Sequence, residues 1–213
     1  MYQSMKLLAV ADIHGSQYRL NLVLNNIEKY QPDLVVICGD ITQFGPAEVA
    51  INFLNQIPVT TLAIPGNIDT VDVSSGISKS NADNIHLCAL EKRGLSFIGI
   101  GGEITTPLDD ISIQIDGMKK PLKESITNNT ILVTHVPPYE TQDKVFLGKY
   151  IGSKDLRALI DTYKPRLVLS GHVHEDPGVT ELDSTIVVNC SLGKRTEGAL
   201  IILNDHIEVT ILD

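Results

Sequence analysis

The chain contains no tryptophan, and only four phenylalanines and six tyrosines in 213 residues. So thin an aromatic complement offers no stacking platform of the kind that single-stranded nucleic acid uses. Basic charge is scarce as well. Twenty-six acidic residues against 17 lysines and arginines give a net charge of −9, which weighs against a broad nucleic-acid footprint. No apolar run approaches the ~20 residues of a membrane span. The opening stretch, MYQSMKLLAVADIHG, is not expected to be a secretory signal, because its apolar part runs only from Leu7 to Ala11 and Asp12 ends it. Met5 is a candidate alternative start. Cysteine is limited to Cys38, Cys88 and Cys190, which cannot all pair, and no C-x-x-C occurs. Cys38 and Cys190 lie inside apolar runs, so reduced core thiols in a cytoplasmic setting are expected.

What is present is an ordinary globular composition, 43% hydrophobic and 20% charged, in a chain long enough for a sizeable core. Apolar residues recur at helical spacing in three places: Leu20, Val23, Leu24 and Ile27; Ala50, Phe53, Leu54 and Ile57; Leu156, Leu159, Ile160 and Tyr163. Each is followed by an apolar run with β-branched residues, DLVVICGD, VTTLAIPGN or RLVLSGH. Pro32, Pro58 and Pro165 stand between, where a helix must end. Repeated helix-then-strand units imply parallel strands covered by helices. The middle reads as short strands, LSFIGIGGEI, ISIQID and NTILVTHVPP, with at most a short helix near Lys119 to Ser125. The end reads as antiparallel hairpins, GVTELDSTIVVNCS and EGALIILNDHIEVTIL, the second turning at Asn204-Asp205. This is an α/β chain whose two sheets are expected to pack with helices outside. With no linker, repeat or low-complexity segment, one domain over residues 1–213 is expected.

The polar residues fall at a recurring place. LLAVADIHG ends a run with Asp12 and His14, LVVICGD with Asp40, TLAIPGN with Asn67, ILVTH with His135, and LVLSGHVH with His172 and His174. Ligands of parallel α/β sheets bind outside the carboxyl ends of the strands, so these side chains are expected to meet in one crevice. In extended backbone, residues i and i+2 share a side about 6.6 Å apart. Asp12-x-His14 and His172-x-His174 would then each project a pair able to bind one metal or to straddle two that lie ~3.5–4 Å apart. Asp40 is the natural bridging carboxylate. The mixture of Asp, Asn and His suits Mn, Fe, Zn or Ni better than Ca or Mg. Two divalent ions would outweigh the two aspartates and draw phosphate to an otherwise acidic protein.

Taken in order, DIH, GD, GN, H and GHVH resemble the calcineurin-like metallophosphoesterase family, from residue 12 to residue 174. GIGG at 99–102, HVPPYET at 135–141 and GHVHEDPG are similar to small single-domain members from archaea and bacteria. The resemblance implies a four-layer α/β/β/α sandwich of two mixed β-sheets flanked by helices. It also implies two divalent metal ions, with manganese favoured. Asp12, His14, Asp40 and His174 would hold one, and Asp40, Asn67, His135 and His172 the other, with Asp40, Asn67 and His135 also catalytic. The implied activity is hydrolysis of a small phosphorylated substrate, diesters ahead of monoesters, by in-line attack of a metal-bridging hydroxide.

One position departs from the family pattern. Where the usual motif is G-N-H-[DE], this chain has GNID, with Ile68 in place of the histidine. That histidine is credited with stabilising the transferring phosphoryl group or protonating the leaving oxygen, and isoleucine can do neither. A general acid contributes about 10²–10⁴-fold, so aryl or nucleotide-like leaving groups are expected to be favoured. Asp69, without its histidine partner, is left to cap the next segment or to hydrogen-bond the loop. Glu175 and His86 are candidate substitute acids.

Other features take plainer readings. His86 and His206 lack a strand-edge context and read as structural. Gly99, Gly101 and Gly102 read as close-packing positions, since no helix start follows to cradle phosphate. Lys149, Lys154 and Arg157 read as a solvated helix face rather than an anion-greeting cluster. Two rivals to the hydrolase remain. Charge and aromatic content weigh against a nuclease, while Ile68 keeps open a metal-binding interaction scaffold with little catalysis. No membrane partner is expected, and the pattern does not fix the oligomeric state.

Overall fold

The computed structural model describes residues 4–102, 115 and 118–213. Among the described residues, twelve strands form two six-stranded sheets. The first is built from β1 (Met5–Val10), β2 (Leu34–Cys38), β3 (Thr61–Ile64), β4 (Asp83–Asn84), β11 (Ala199–Leu203) and β12 (Ile207–Ile211), in the order β12-β11-β1-β2-β3-β4. The second contains β5 (Ala89–Lys92), β6 (Leu95–Ile100), β7 (Thr130–Thr134), β8 (Leu167–Ser170), β9 (Gly178–Leu182) and β10 (Thr185–Asn189), in the order β5-β6-β7-β8-β10-β9. Both sheets are mixed. β1 through β4 run parallel, β11 pairs antiparallel with β1, and β12 pairs antiparallel with β11 at the edge. β6, β7, β8 and β10 run parallel, with antiparallel β5 and β9 at the edges.

The helices form where the spacing predicts them. In α1 (Gln17–Tyr30), Leu20, Val23 and Ile27 are buried; Ser16 caps the start by accepting from the Arg19 N–H, and Gln31 closes the end at φ 49° just before Pro32. α5 (Lys154–Tyr163) repeats the design, with Ser153 accepting from Leu156 N–H and Lys164 at φ 47° before Pro165. α2 spans Ala47–Leu54, so Ile57 lies beyond it, and the short α4 (Lys120–Glu124) falls within the expected segment. A helix the apolar spacing did not signal, α3 (Val71–Lys79), buries Val73, Gly76 and Ile77. The strand expected at ISIQID lies almost wholly outside the described residues.

Strand alternation sorts the core into three layers. Leu7 and Ala9 of β1, with Val36 and Cys38 of β2, face the second sheet and meet Phe97, Ile131, Val133, Leu169 and Val188. Leu8, Val10, Val35 and Ile37 face the other way, onto Leu20, Val23, Ala50 and Leu54 of α1 and α2. On the far side, Ile98, Leu132 and Val168 meet Leu156 and Ile160 of α5. The result is the α/β/β/α sandwich. Each fully buried Leu or Ile contributes about 2 kcal/mol. Cys38 and Cys190 are buried in the inter-sheet layer as free thiols, their sulfurs 3.6 Å apart; Cys88 is exposed. The C-terminal hairpin closes over Asn204 to His206, one residue longer than expected, with Asn204 N–H donating to the His206 carbonyl.

Candidate metal centre

The residues after β1, β2, β3, β7 and β8 converge at one edge of the sandwich. Asp12, His14 and His174 offer ligand atoms within 4.8 Å of one another, and so do Asp12, Asp40 and His135. The Nε2 atoms of His14 and His174 are 3.3 Å apart, and His174 Nε2 is 3.4 Å from Asp12 Oδ1. On the other side, Asn67 Oδ1 is 2.7 Å from His135 Nε2 and 3.0 Å from His172 Nδ1. Asp40 Oδ2 stands between the two groups, 3.8 Å from His14 Nδ1 and 3.4 Å from His135 Nε2. All seven residues singled out at the strand edges are thus brought together.

The way they converge differs from the expected extended projection. Asp12, His14, Asp40 and His172 adopt φ of 64°, 53°, 52° and 69°. This left-handed region is uncommon for side-chain-bearing residues and clusters at functional sites. The kinks separate the histidine pair, so that His172 turns to Asn67 and His174 to His14. A chain of hydrogen bonds holds the kinked loops: Asp12 N–H to Gly39 O, His14 N–H to Asp40 O, and Gly171 N–H to His135 O. Asp40 Oδ1 accepts from the Ile68 N–H at 3.0 Å, and Asp12 Oδ2 from the His172 N–H at 3.1 Å. The loops approach so closely that a Cβ on Gly66 would overlap Asp40 Oδ1 and its backbone nitrogen.

Asp69 is the clamp beneath this arrangement. Fully buried, it accepts from the backbone N–H of Ile41, Thr42 and Gly66 and from the Thr42 hydroxyl, at 2.7–3.0 Å. Of the two roles open to it, it hydrogen-bonds the loop. Burial, aided by the charge of Asp40, raises its pKa to about 6. A second support was not singled out in the sequence. Asn189, fully buried at the end of β10, donates to the carbonyls of Gln142, Val173 and Asp176 and accepts from the N–H and hydroxyl of Ser191. It pins the loop carrying His172 and His174. Its one sequence signal is a polar residue closing the apolar run TIVVN.

The electrostatics are those of a site prepared for cations. Asp12 Oδ1 and His14 Nδ1 are buried without a hydrogen-bond partner. Burial would raise the pKa of Asp12, but His174 and the charge of His135 outweigh it and hold the carboxyl at about 2. Burial pushes His172 down to about 4, leaving it neutral at neutral pH. Burial works against charge on His135 too, yet Asp40 and Asp12 overcome it and raise the imidazole to about 10. Two buried atoms that make no hydrogen bond, together with carboxylate, amide and imidazole donors at ligand spacing, fit a pair of transition-metal ions.

Gly99, Gly101, His86 and Arg157 take the plainer roles, whereas Lys149 lies in the loop before α5 and not on a helix face. Gly99 and Gly101 pack so closely that a Cβ on either would come 2.6 Å from the backbone oxygen of Ile85 or Pro65. His86 accepts from the Gly101 N–H, and Arg157 pairs with Asp161 on its own helix at 3.0 Å. Among the described residues no helix is long and apolar enough to cross a membrane.

Residues 5–176 match the sequence model of the calcineurin-like phosphoesterases, and the chain belongs to that family, whose members are metal-dependent phosphoesterases with a dinuclear centre. An uncharacterized protein of Methanocaldococcus jannaschii is 32% identical over 208 residues, covering 90% of each chain. Among solved structures, a dimetal phosphatase of Danio rerio has the same fold at TM-score 0.67 and 12% identity, covering 97% of this chain and 95% of its own. An archaeal phosphodiesterase aligns at TM-score 0.56 and 17% identity, covering 98% and 100%.

Proposed function

We propose that the protein hydrolyses phosphodiesters of small molecules, using two divalent cations, manganese ahead of iron, zinc or nickel. Asp12, His14, Asp40 and His174 would hold one, and Asp40, Asn67, His135 and His172 the other. The observation that carries this reading is Asp40 Oδ2 lying between the His14 and His135 rings while Asp12 Oδ1 and His14 Nδ1 are buried without a hydrogen bond. When bound, the cations acidify water to supply the nucleophile and offset phosphoryl charge. The chain's own residues set the geometry. Asp69 locks the Asp40 and Asn67 loops together, Asn189 locks the His172–His174 loop, and the Cys38 carbonyl orients the His135 ring.

Ile68 shapes the preference for diesters with good leaving groups. Its N–H supports Asp40, so the position keeps its backbone role. Its side chain offers no proton to a departing oxygen, and the leaving group must carry the charge away itself. An archaeal phosphodiesterase among the structural neighbours agrees with a diester preference. The test is turnover of bis-p-nitrophenyl phosphate against p-nitrophenyl phosphate by manganese-loaded protein. Higher kcat/KM for the diester is expected. Faster cleavage of the monoester would refute the diester preference, and tight metal binding with no turnover of either would favour the scaffold reading that Ile68 keeps open.

A further inference from the structure

We propose that the cavity beside His174 is a subsite for a second phosphoryl group of the substrate, remote from the bond that is cut; this rests on the phosphodiesterase reading above. The cavity has a volume of about 490 Å³ and is lined by Arg19, His174, Glu175 and the turn that carries Lys194 and Arg195. That volume falls within the roughly 300–1,000 Å³ typical of small-molecule pockets. Because His174 belongs to the candidate metal centre, a substrate held there would extend directly into the cavity.

The charge of the lining points to an anion. Arg19, Lys194 and Arg195 oppose one carboxylate, Glu175, on a chain whose net charge is −9. Among the described residues, neither Lys194 nor Arg195 takes part in an ion pair. Cations gathered against the overall charge and left unpaired concentrate anions locally. Their surplus over Glu175 suits a dianion better than a monoanion, and a phosphate monoester carries about −1.5 to −2 at neutral pH. A carboxylate would neutralise less of it.

The cations are also fixed at their roots. Past β10 the chain is bonded to the strand end that leads to Asp12, with Ala11 N–H donating to Cys190 O and Leu192 N–H to Ala11 O. The turn then closes on itself: Gly193 N–H donates to Thr196 O at 3.0 Å, and the Thr196 hydroxyl to Ser191 O at 2.9 Å. From α1, the Arg19 guanidinium donates to the carbonyl of Asp12. The strand end that carries Asp12 thus bonds both Arg19 and the segment leading to Lys194 and Arg195.

The test uses three p-nitrophenyl esters of thymidine 5′-phosphate on manganese-loaded protein: one with a free 3′-hydroxyl, one with a 3′-phosphate, and one with a 3′-carboxymethyl group. The 3′-phosphate should raise kcat/KM roughly tenfold or more over the free hydroxyl. That ratio should fall toward one in Lys194→Ala/Arg195→Ala and survive largely in Arg195→Lys. Independently of turnover, thymidine 3′,5′-bisphosphate added to chelated protein should move the NMR amide signals of Gly193 and Thr196 more than thymidine 5′-phosphate does. An equal ratio in wild type and double variant, a carboxymethyl gain as large as the phosphate gain, or unmoved amides would overturn the subsite. If none of the diesters is cut, the phosphodiesterase reading fails on its own account, and the bisphosphate titration alone decides the subsite.

Discussion

His135 donates its Nδ1 proton to the carbonyl oxygen of Cys38 at 2.8 Å, which aims Nε2 at Asn67 Oδ1, 2.7 Å away. A neutral ring would set two lone pairs against each other there. In the metal-free protein a proton fills the gap, consistent with an imidazole pKa of about 10. A cation taking that place must displace the proton. Calorimetric titration of manganese at pH 7.5, in buffers of differing ionisation enthalpy, should therefore show about one proton released from this group. Metal uptake without proton release would contradict the arrangement.

The same group sets an alkaline limit on the chelated protein. Its folded pKa lies above the ordinary 6.5. Its stabilisation is therefore complete below pH 6.5 and is lost as pH rises toward about 10, because the folded state holds a proton that the unfolded chain has given up. The unfolding free energy of chelated protein, from urea titrations, should decline across that window by on the order of 1 kcal/mol per pH unit. Bound metal should flatten the slope, since the proton is no longer there to lose.

Asp69→Ala would leave three buried backbone N–H groups and the Thr42 hydroxyl without their acceptor. A loss of about 3 kcal/mol or more is expected in denaturant unfolding. Asp69→Asn should cost less, since one oxygen still accepts. Both variants should bind metal more weakly than wild type, because Asp69 joins the loops carrying Asp40 and Asn67. Unchanged metal affinity in both would show that it supports the fold alone.

Gly66→Ala places a methyl group where Asp40 Oδ1 and its nitrogen now lie. The carboxylate between the two ligand groups must move, so the variant should retain fewer than two equivalents of manganese. Metal analysis after gel filtration is the check, and full loading would show that the loops yield without cost.

Ile68→His would place a proton donor where the proposed reading has isoleucine standing in for a histidine. It should flatten the dependence of kcat on leaving-group pKa, with a gain of up to about 10²-fold for alkyl leaving groups and little change for p-nitrophenol. A series of aryl methyl and alkyl methyl phosphate diesters measures the slope. An unaltered slope would mean that proton donation is supplied by another group.

Much of the centre was legible because each candidate ligand follows a β-branched run at the point where the chain must leave the sheet. This applies to Asp12, Asp40, Asn67, His135 and His172 alike. The helices α1 and α5 were legible through apolar spacing, proline stops and, as the structure adds, serine caps. α3 was not, because Ser74, Ser75 and Gly76 at its middle are weak helix formers. It is helical because Val73 and Ile77 are buried, and because Gly76 lets Ala47 of α2 approach to where a Cβ would sit 2.9 Å from its carbonyl oxygen. The projection of the D-x-H and H-x-H pairs is not legible in the sequence for a similar reason. Left-handed φ at Asp12, His14 and His172 is imposed by contacts between loops, and residue alternation carries no sign of it. Arg19 and Arg195 share a cavity only after β1 and the segment past β10 have paired.

The ligand set is divided between the two sheets. Asp12, His14, Asp40 and Asn67 follow strands of the first, and His135, His172 and His174 follow strands of the second. Cations gripped from both sides would act as rivets across the seam, so that the halves cannot be prised apart without releasing the ions. Loaded protein should then unfold more slowly than chelated protein, and its resistance to proteolysis should rise with metal occupancy, on top of what the buried layer between the sheets supplies.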